Sequence, residues 1–596
     1  MVKLTDFRCF VMVSLSLMVR SRADAEERAK KIASGVLFEK NVAITTRDGS
    51  TLRGNVYRPI TAGKYPVIMG MSAYGKDLHT KAIHGDAWKD MLARVPGLLD
   101  KSSGAYHAWE LYDPEVWVPY GYVLVRIDSR GSGKSPGQLN PLSAKEAQDY
   151  YDAIEWAAAQ KWSNGKVGMA GISYYAMIQW QVAALQPPHL AGFVAWEGAS
   201  DAYRDVSRHG GILSNVFPRL WWARQVVPIQ NGFGGSPFKD ADDGAPIGGP
   251  RSLSAAELAA NRVDALALSA QHSLDDPYYK ERTPDFSKIV VPFLSAANWG
   301  GLGLHLRGNI EGFVRASSKQ KWLETHGSNH YIPFFRAEGQ ALQKQFFDYF
   351  LKGADNGWGA RPPVSLRVRN PGEKFELREE REWPLKRTEW RQLVLDASAM
   401  QLRSNATSDA SVSYSALTGS AVFKTQPFEK TTEITGPLWA NLWVSSSTSD
   451  MDIFATLQLF DRDAKEVTFE GASEAAAPIS QGWLRVSHRK LDKAKTTPYR
   501  PYHAHDEAQP MEPGRAYEVQ VEIWPTCIVV PQGYTLALRI EGKDFSRGRS
   551  PTGLMTGSGP FLHTDPKDRP AKVFGGTNTI HTGGKHASYL VLPVIP

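Results

Sequence analysis

The chain of 596 residues has only two cysteines, Cys9 and Cys527. They cannot build a disulfide framework, and no Cys/His cluster has the spacing of a zinc site. His326 and His330 in "HGSNH" stand four apart, which suits a metal on a helix, but Gly327, Ser328 and Asn329 between them indicate a loop. No metal and no cofactor is expected. A strong charge of one sign is also missing. The formal charge is +7, with Lys and Arg interleaved among Asp and Glu and no basic run carrying alternating aromatics. Nucleic acid is thereby set aside as a partner. No apolar run is long enough to span a bilayer. "CFVMVSLSLMV" (9–19) follows Lys3 and Arg8 and precedes Ala23-Asp24-Ala25, a pattern of signal-peptidase type. Arg20 and Arg22 stand where a cleavage region is normally uncharged, so the leader (1–37) pulls both ways, slightly toward a cytoplasmic chain. It runs into "AEERAKKIAS", which reads as helical.

An apolar content of 42% with 22% charged residues describes a soluble globular protein. The length exceeds a single hydrophobic core and calls for two to four domains. "NVAITTRDGSTLRGNVYRP" (41–59) reads as a hairpin around Asp48-Gly49. Short apolar runs at 65–74, 121–128, 166–172 and 190–198 then alternate with helical patterns at 147–160 and 174–186. The first of these helices has Tyr151, Ile154 and Ala158 on one face, and the second stops at Pro187-Pro188. Strands alternating with helices indicate a parallel α/β core, residues 38–200. Residues 201–288, with Trp221, Trp222, a Gly/Pro-rich patch and "SAAELAANRVDALALSAQ", read as a helical insertion. "KIVVPFLSAANWGG" returns to the sheet, and 289–362 completes the core with a helix at 339–353. From 363 to 596 short strands such as "DIFATLQLFDRD" and "TLALRIEG" are separated by turn signals, the pattern of an antiparallel β-sandwich.

"KVGMAGISYYAM" (166–177) places Ser173 between an apolar strand and a helix that starts at Tyr174. A serine hydroxyl becomes a nucleophile when a base takes its proton and a sharp strand-to-helix turn exposes its oxygen. Gly171, two before the serine, fits that turn. Tyr175, two after it, replaces the usual glycine, and the small residue comes one later, at Ala176.

The segment "EAQDYYDAIEWAAAQKWSNGKVGMAGISYYAMIQWQVAALQPPHL" (146–190) closely resembles the cocaine esterase and X-prolyl dipeptidyl-peptidase family of serine hydrolases, the CocE/NonD or peptidase S15-like group. Its relatives include α-amino acid ester hydrolases and glutaryl acylases. "DSRGSGKSPG" (128–137), "WEGASDAYRD" (196–205) and "HASYLVLPVIP" (586–596) extend the resemblance along nearly the whole chain. It implies an α/β-hydrolase core with a helical cap insertion, followed by a C-terminal jelly-roll sandwich. "DSRGSGKS" lacks P-loop spacing and reads as structural.

The resemblance also implies roles. Ser173 attacks the acyl carbon. The backbone N–H of Tyr174 and the hydroxyl of Tyr74, in "MSAYGKD", form the oxyanion hole. His330 stands where the family carries its base, with His326 as competitor. The acid departs from the pattern. The family places an aspartate two residues after a tryptophan, and here Gly301 follows Trp299 at that distance. Glu197 or Asp201, at the end of the preceding strand, are the preferred substitutes. Asn298 as orienter of the histidine and a catalytically reduced site are the other readings.

The expected activity is hydrolysis of small ester or amide substrates through an acyl-enzyme. An acyltransferase using the same intermediate, an X-Pro dipeptidyl-peptidase and a non-catalytic binding protein are the alternatives. Nothing in 201–288 marks a carboxylate cluster for a substrate ammonium, and "DADD" (240–243) reads as a solvated loop. Trp221 and Trp222 are pocket walls or core. Neither a homo-oligomer nor a monomer is implied.

Overall fold

The computed structural model describes residues 29–33, 35–405, 408–549 and 557–596. The apolar leader run and Cys9 lie outside the described residues. The central sheet begins with the antiparallel run β1 (Ala29–Ala33), β2 (Val36–Thr45) and β3 (Thr51–Pro59). It continues with β4 (Tyr65–Ser72), β5 (Val123–Asp128), β6 (Ser163–Ile172), β7 (Leu190–Trp196), β8 (Phe293–Asn298), β9 (Lys321–His326), β10 (Val364–Asn370) and β11 (Lys374–Glu380). β3 pairs antiparallel with β5, and the order then runs in parallel through β4, β6, β7, β8, β9 and β10 before β11 turns back. β5 and β8 are buried at every position, as expected of strands covered on both faces.

Residues 29–33 read as helical and form a strand instead. Their backbone pairs with β2 from Ala29 opposite Glu39 to Ala33 opposite Val36, and this tertiary pairing overrides a weak local propensity.

Four helices position the site: α1 (Ala144–Ala158), α2 (Tyr174–Ala184), α3 (Leu306–Arg315) and α4 (Ala337–Lys352). Ser143 caps α1 by accepting from the Glu146 N–H. Of the expected face of α1, Ile154 is buried, but Tyr151 and Ala158 are only half-buried, and Tyr150 and Ala157 take the inward positions beside them. Tyr150 goes inward and donates to the Met69 carbonyl at 2.9 Å, while Tyr151 stays at the surface under the Arg47 guanidinium. α2 is apolar all round and buried on nearly every side, so it is a core helix rather than an amphipathic one.

Residues 201–288 leave the sheet after β7 and return at β8 as a set of short helices. The "SAAELAANRVDALALSAQ" stretch breaks into Ala255–Ala260 and Ala265–Gln271, capped by Ser254 and Asp264. Between them Asn261 and Val263 bond the backbone of Leu139, which pins the chain to the core loop. Asp240, Asp242 and Asp243 all meet Lys40 on β2, so "DADD" is an ion-paired tether rather than a solvated loop. The "DSRGSGKS" loop wraps around Asp128, whose carboxylate accepts from the N–H groups of Lys76 and Lys134.

The C-terminal region is β-rich. One layer joins Glu389–Asp396, Tyr589–Ile595, Thr432–Ser446 and Tyr517–Val530. A second joins Ser420–Lys424, Thr535–Glu541, Asp452–Phe460 and Ser480–Arg485. Its Phe454, Trp483 and Trp524 share one continuous core with Trp299 and Leu306 of the α/β part, so the two regions are packed together rather than tethered. Among the described residues, no helix is long and apolar enough to cross a membrane.

Close packing behind the nucleophile strand is set by glycine. A Cβ on Gly168 would lie 2.6 Å from the Phe347 ring on α4. Gly168→Val is expected to lower stability by about 1–3 kcal/mol through overpacking, seen as a lower midpoint of thermal inactivation.

Candidate active site

Ser173 sits at the junction of β6 and α2 with φ 60° and ψ −117°. Positive φ is costly for a residue with a side chain, and the surrounding bonds hold it there. The Ser173 N–H donates to the carbonyls of Trp196 and Glu197 at 3.0 and 3.2 Å, and the Glu110 carbonyl accepts from the Ile172 N–H. A Cβ on Gly171 would lie 2.5 Å from that of Tyr175, and one on Gly198 would lie 2.6 Å from that of Ala176. The space usually kept by a glycine after the serine is thus provided by Gly171, Ala176 and Gly198 together. Ser173 retains 8% exposure, enough to be reached from a cavity of about 180 Å³.

That cavity has mainly apolar walls, including Met177, Leu213, Phe217, Trp221 and Leu266. Trp221 lines it, whereas Trp222 is buried in a cluster with Leu139 and Val226. Tyr74 also faces the cavity. Its hydroxyl accepts from the Trp221 indole N–H at 2.9 Å, which leaves its own proton free to donate. The Tyr174 N–H stands at the first position of α2, where no intrahelical acceptor exists. The Tyr174 ring is anchored by donation from its hydroxyl to Glu146, a buried carboxyl whose pKa is pushed up to about 7 by desolvation.

Two imidazoles stand beside the serine, and the nearer was not foreseen. His305 Nε2 lies 3.2 Å from Ser173 Oγ. His330 makes no hydrogen bond to Ser173; its ring stacks on His305, with centroids 5.3 Å apart and planes within 9°. The Ala199 N–H donates to His305 Nδ1 at 3.2 Å, so the neutral ring carries its proton on Nε2 and donates it to Oγ. Burial, together with the charge on His330, pushes the His305 pKa down to about 3.

His330 is bracketed by carboxylates. Its Nδ1 lies 2.7 Å from Glu197 Oε2 and its Nε2 3.0 Å from Glu110 Oε1. Burial alone would lower its pKa, but the charge of Glu197 and the hydrogen bonds that His330 donates to Glu110 and Glu197 outweigh it and hold the value up at about 10. Burial would raise the Glu197 pKa, and the His330 charge with bonds from both histidines brings it down to about 2. Burial raises that of Glu110.

Of the two carboxylates expected from the sequence, Glu197 is the one that meets His330. It occupies the end of β7 with φ 48° and no exposure. Asp201 turns away. It caps the helical turn after it through the Tyr203 and Arg204 N–H groups and pairs with the Arg204 guanidinium at 3.0 Å. Asn298 orients the acid rather than the histidine, donating to Glu197 Oε1 at 3.0 Å and to the Ser328 carbonyl. His326 also binds Glu197 Oε1, at 3.1 Å, and reaches Glu324 with its other nitrogen. Gly301 lies in a tight turn, bonded to the Asn298 carbonyl and leading into α3. No group of residues among those described could hold a metal.

Neither His305 nor Glu110 lies at a motif spacing; the fold brings His305 to Ser173 and Glu110 to His330. The Gly-rich turn before α3, "GGLGLHL", is the one local hint for His305.

Comparison with known proteins agrees with this geometry. Residues 48–332 match the family model for X-Pro dipeptidyl-peptidase (S15 family), and residues 356–591 match that for the X-Pro dipeptidyl-peptidase C-terminal non-catalytic domain. Cocaine esterase of Rhodococcus sp. is 23% identical, with 93% of this chain and 98% of that protein covered. The fold is shared with an α-amino acid ester hydrolase at a TM-score of 0.62 and 16% identity, over 95% of this chain and 98% of that one. A CocE/NonD family hydrolase from Staphylococcus aureus superposes with a TM-score of 0.82 at 35% identity, covering 94% of each chain. With a serine on a strained elbow, an imidazole against its oxygen and this likeness along nearly its entire length, the chain belongs to the CocE/NonD family of serine hydrolases.

Proposed function

We propose that the protein hydrolyses carboxylic esters with a compact apolar acyl group, through an acyl-enzyme on Ser173. The observation that carries this reading is the placement of Ser173, on its elbow, at the edge of an apolar cavity that Tyr74 also faces. Asp201, the buried carboxylate of the wall, is already paired with Arg204, so the cavity favours an apolar group over a substrate ammonium. The β-rich region is read as a jelly roll that braces the site, and residues 201–288 as the cap that walls the acyl group.

In this mechanism Ser173 Oγ attacks the ester carbonyl. The developing oxyanion accepts from the Tyr174 N–H and the Tyr74 hydroxyl. His330 takes the serine proton at Nε2 when that nitrogen is released from Glu110, and gives it to the leaving alkoxide. Glu197 compensates the imidazolium through Nδ1. Water then repeats the sequence on the acyl-enzyme. His305 is ill suited as the base, because its protonation would bring an Nδ1–H against the Ala199 N–H and a second positive ring against His330. It instead fixes Oγ at rest.

Burst kinetics with p-nitrophenyl acetate and butyrate test the nucleophile. Ser173→Ala is expected to remove the burst and lower kcat by about 10⁴-fold or more. Tyr74→Phe should keep KM and lower kcat by about 10²–10³-fold, the size of one oxyanion donor. The histidines separate by degree: His330→Ala should cost about 10⁴-fold, and His305→Gln far less. The reverse order would transfer the role of base to His305.

The pH profile reads the bracketing carboxylates. His330 must lose its Nε2 proton to act, and two carboxylates hold that proton on, so kcat/KM falls as pH falls through a limb above the ordinary imidazole value of 6.5. Glu110→Gln removes one carboxylate and should move the limb toward acid by about one unit or more.

A further inference from the structure

A second cavity, of about 800 Å³, opens between the start of α4 and the β10–β11 hairpin and shares no lining residue with the acyl cavity. That volume suits a small organic molecule. Part of its wall is apolar: Leu342 and Phe375 line it, and Leu377 beside them is 56% exposed, which opens it to solvent. The rest is cationic. Arg336, Arg361, Arg367 and His326 all belong to the wall. Burial would lower the His326 pKa, but the charges of Glu324 and Glu197 and the bond to Glu197 hold it up at about 9, so the ring is charged at neutral pH. Two carboxylates of the wall answer these four cations, and both are engaged. Glu324 Oε2 lies 2.8 Å from His326 Nδ1, and Glu338 Oε2 accepts from Arg367 Nη2 at 2.9 Å. Arg361 donates to a neutral oxygen, Ser365 Oγ, at 3.3 Å and rests on the Trp358 ring. Arg336 is exposed and has no carboxylate partner among the described residues. Two guanidinium charges are left over.

Two further observations concern the same wall. Arg336 is the N-cap of α4, a helix of 16 residues with no side-chain cap, whose first N–H groups have no intrahelical acceptor. Glu338 and Gly339 of its first turn line the cavity, so the positive end of the helix adds to the field there. Trp196, 1% exposed and stacked on His326, is also part of the lining, and its indole N–H has no acceptor. Buried donors are nearly always paired, so this one is open to an acceptor that enters the cavity.

We propose that this cavity binds an amphipathic organic anion of the medium-chain carboxylate type, its head on Arg336 and Arg361 and its apolar body against Leu342, Phe375 and Leu377. A guanidinium presents two parallel N–H groups that match a carboxylate. An organic cation of the same shape would meet uncompensated like charge, so the arginines set the selectivity and the apolar wall holds the chain. Binding there needs no acyl-enzyme on Ser173.

Isothermal titration calorimetry with decanoate tests the site. The protein should take up one decanoate per chain, and decyltrimethylammonium, with the same tail and the opposite charge, should bind at least roughly tenfold more weakly. Arg336→Gln and Arg361→Gln should each weaken decanoate about tenfold, the scale of one hydrogen-bonded contact to a charged group. Leu377→Asp, which puts a carboxylate into the apolar wall, should weaken it as well. Arg336 and Leu377 are exposed, so their variants should keep the wild-type thermal midpoint, and the loss is then one of binding rather than of folding. No uptake of decanoate by the wild type would overturn the site. Uptake that all three substitutions leave unchanged would overturn it too, by placing the anion elsewhere, the acyl cavity included. Equal affinity for decyltrimethylammonium would overturn the recognition of charge. The burst on Ser173 is read separately: its absence would remove the acyl-enzyme and leave the decanoate result as it stands.

Discussion

A carboxylate with no exposure, Glu197, is the constraint around which the site is built. Removing an ionised carboxylate from water costs several kcal/mol unless charge and hydrogen bonds replace the water. Here His330, His326 and the Asn298 amide together replace it. The three come from two different strands and a loop, so the sheet register and the loop path must both be correct for the charge to be tolerated. His330 gains its orientation from the same bond that neutralises Glu197, which makes the stability of the core and the geometry of the proposed base one requirement.

The loop that carries His330 is held from outside the α/β core. The His330 N–H donates to the Ala472 carbonyl, and Ser328 donates to Glu470. Arg94 grips Glu470 with both of its terminal nitrogens and also donates to Ser328. A two-point guanidinium–carboxylate contact fixes direction as well as distance. The β-rich region thus reaches the site through the Ala472 carbonyl and the Glu470 carboxylate of its 470–472 turn. This accounts for why a hydrolase core of this kind is packed against a large second region instead of merely linked to it.

Much of this was legible in the sequence, for physical reasons that differ by residue. The elbow was readable because a strand, a tight turn and a helix leave a local pattern around Gly171 and Ser173. The parallel core was readable because strands buried on both faces are runs of apolar residues. Glu197 could be nominated because it ends a strand next to the nucleophile strand, but Asp201 had the same claim. Only the turn after β7 decides between them, since it points one carboxylate at His330 and engages the other with Arg204. Glu110 and His305 were illegible, because their placement in the site depends on non-local contacts. The strand at Ala29–Ala33 and the inward position of Tyr150 on α1 were misread because pairing with β2 and the Tyr150 bond to Met69 outweigh propensity and simple periodicity.

The position of the acid also bears on how water is managed. In the expected arrangement the aspartate follows β8; here it follows β7, and the vacated turn at Gly301 leads directly to His305. That ring stands against Ser173 Oγ, and the mainly apolar cavity walls beside it lower the local dielectric, which strengthens hydrogen bonds to any oxyanion formed there. A carboxylate moved by one strand therefore leaves the Gly301 turn to His305, and its charge is held instead by Asn298 at the end of β8, His326 at the end of β9 and His330 on the loop that follows.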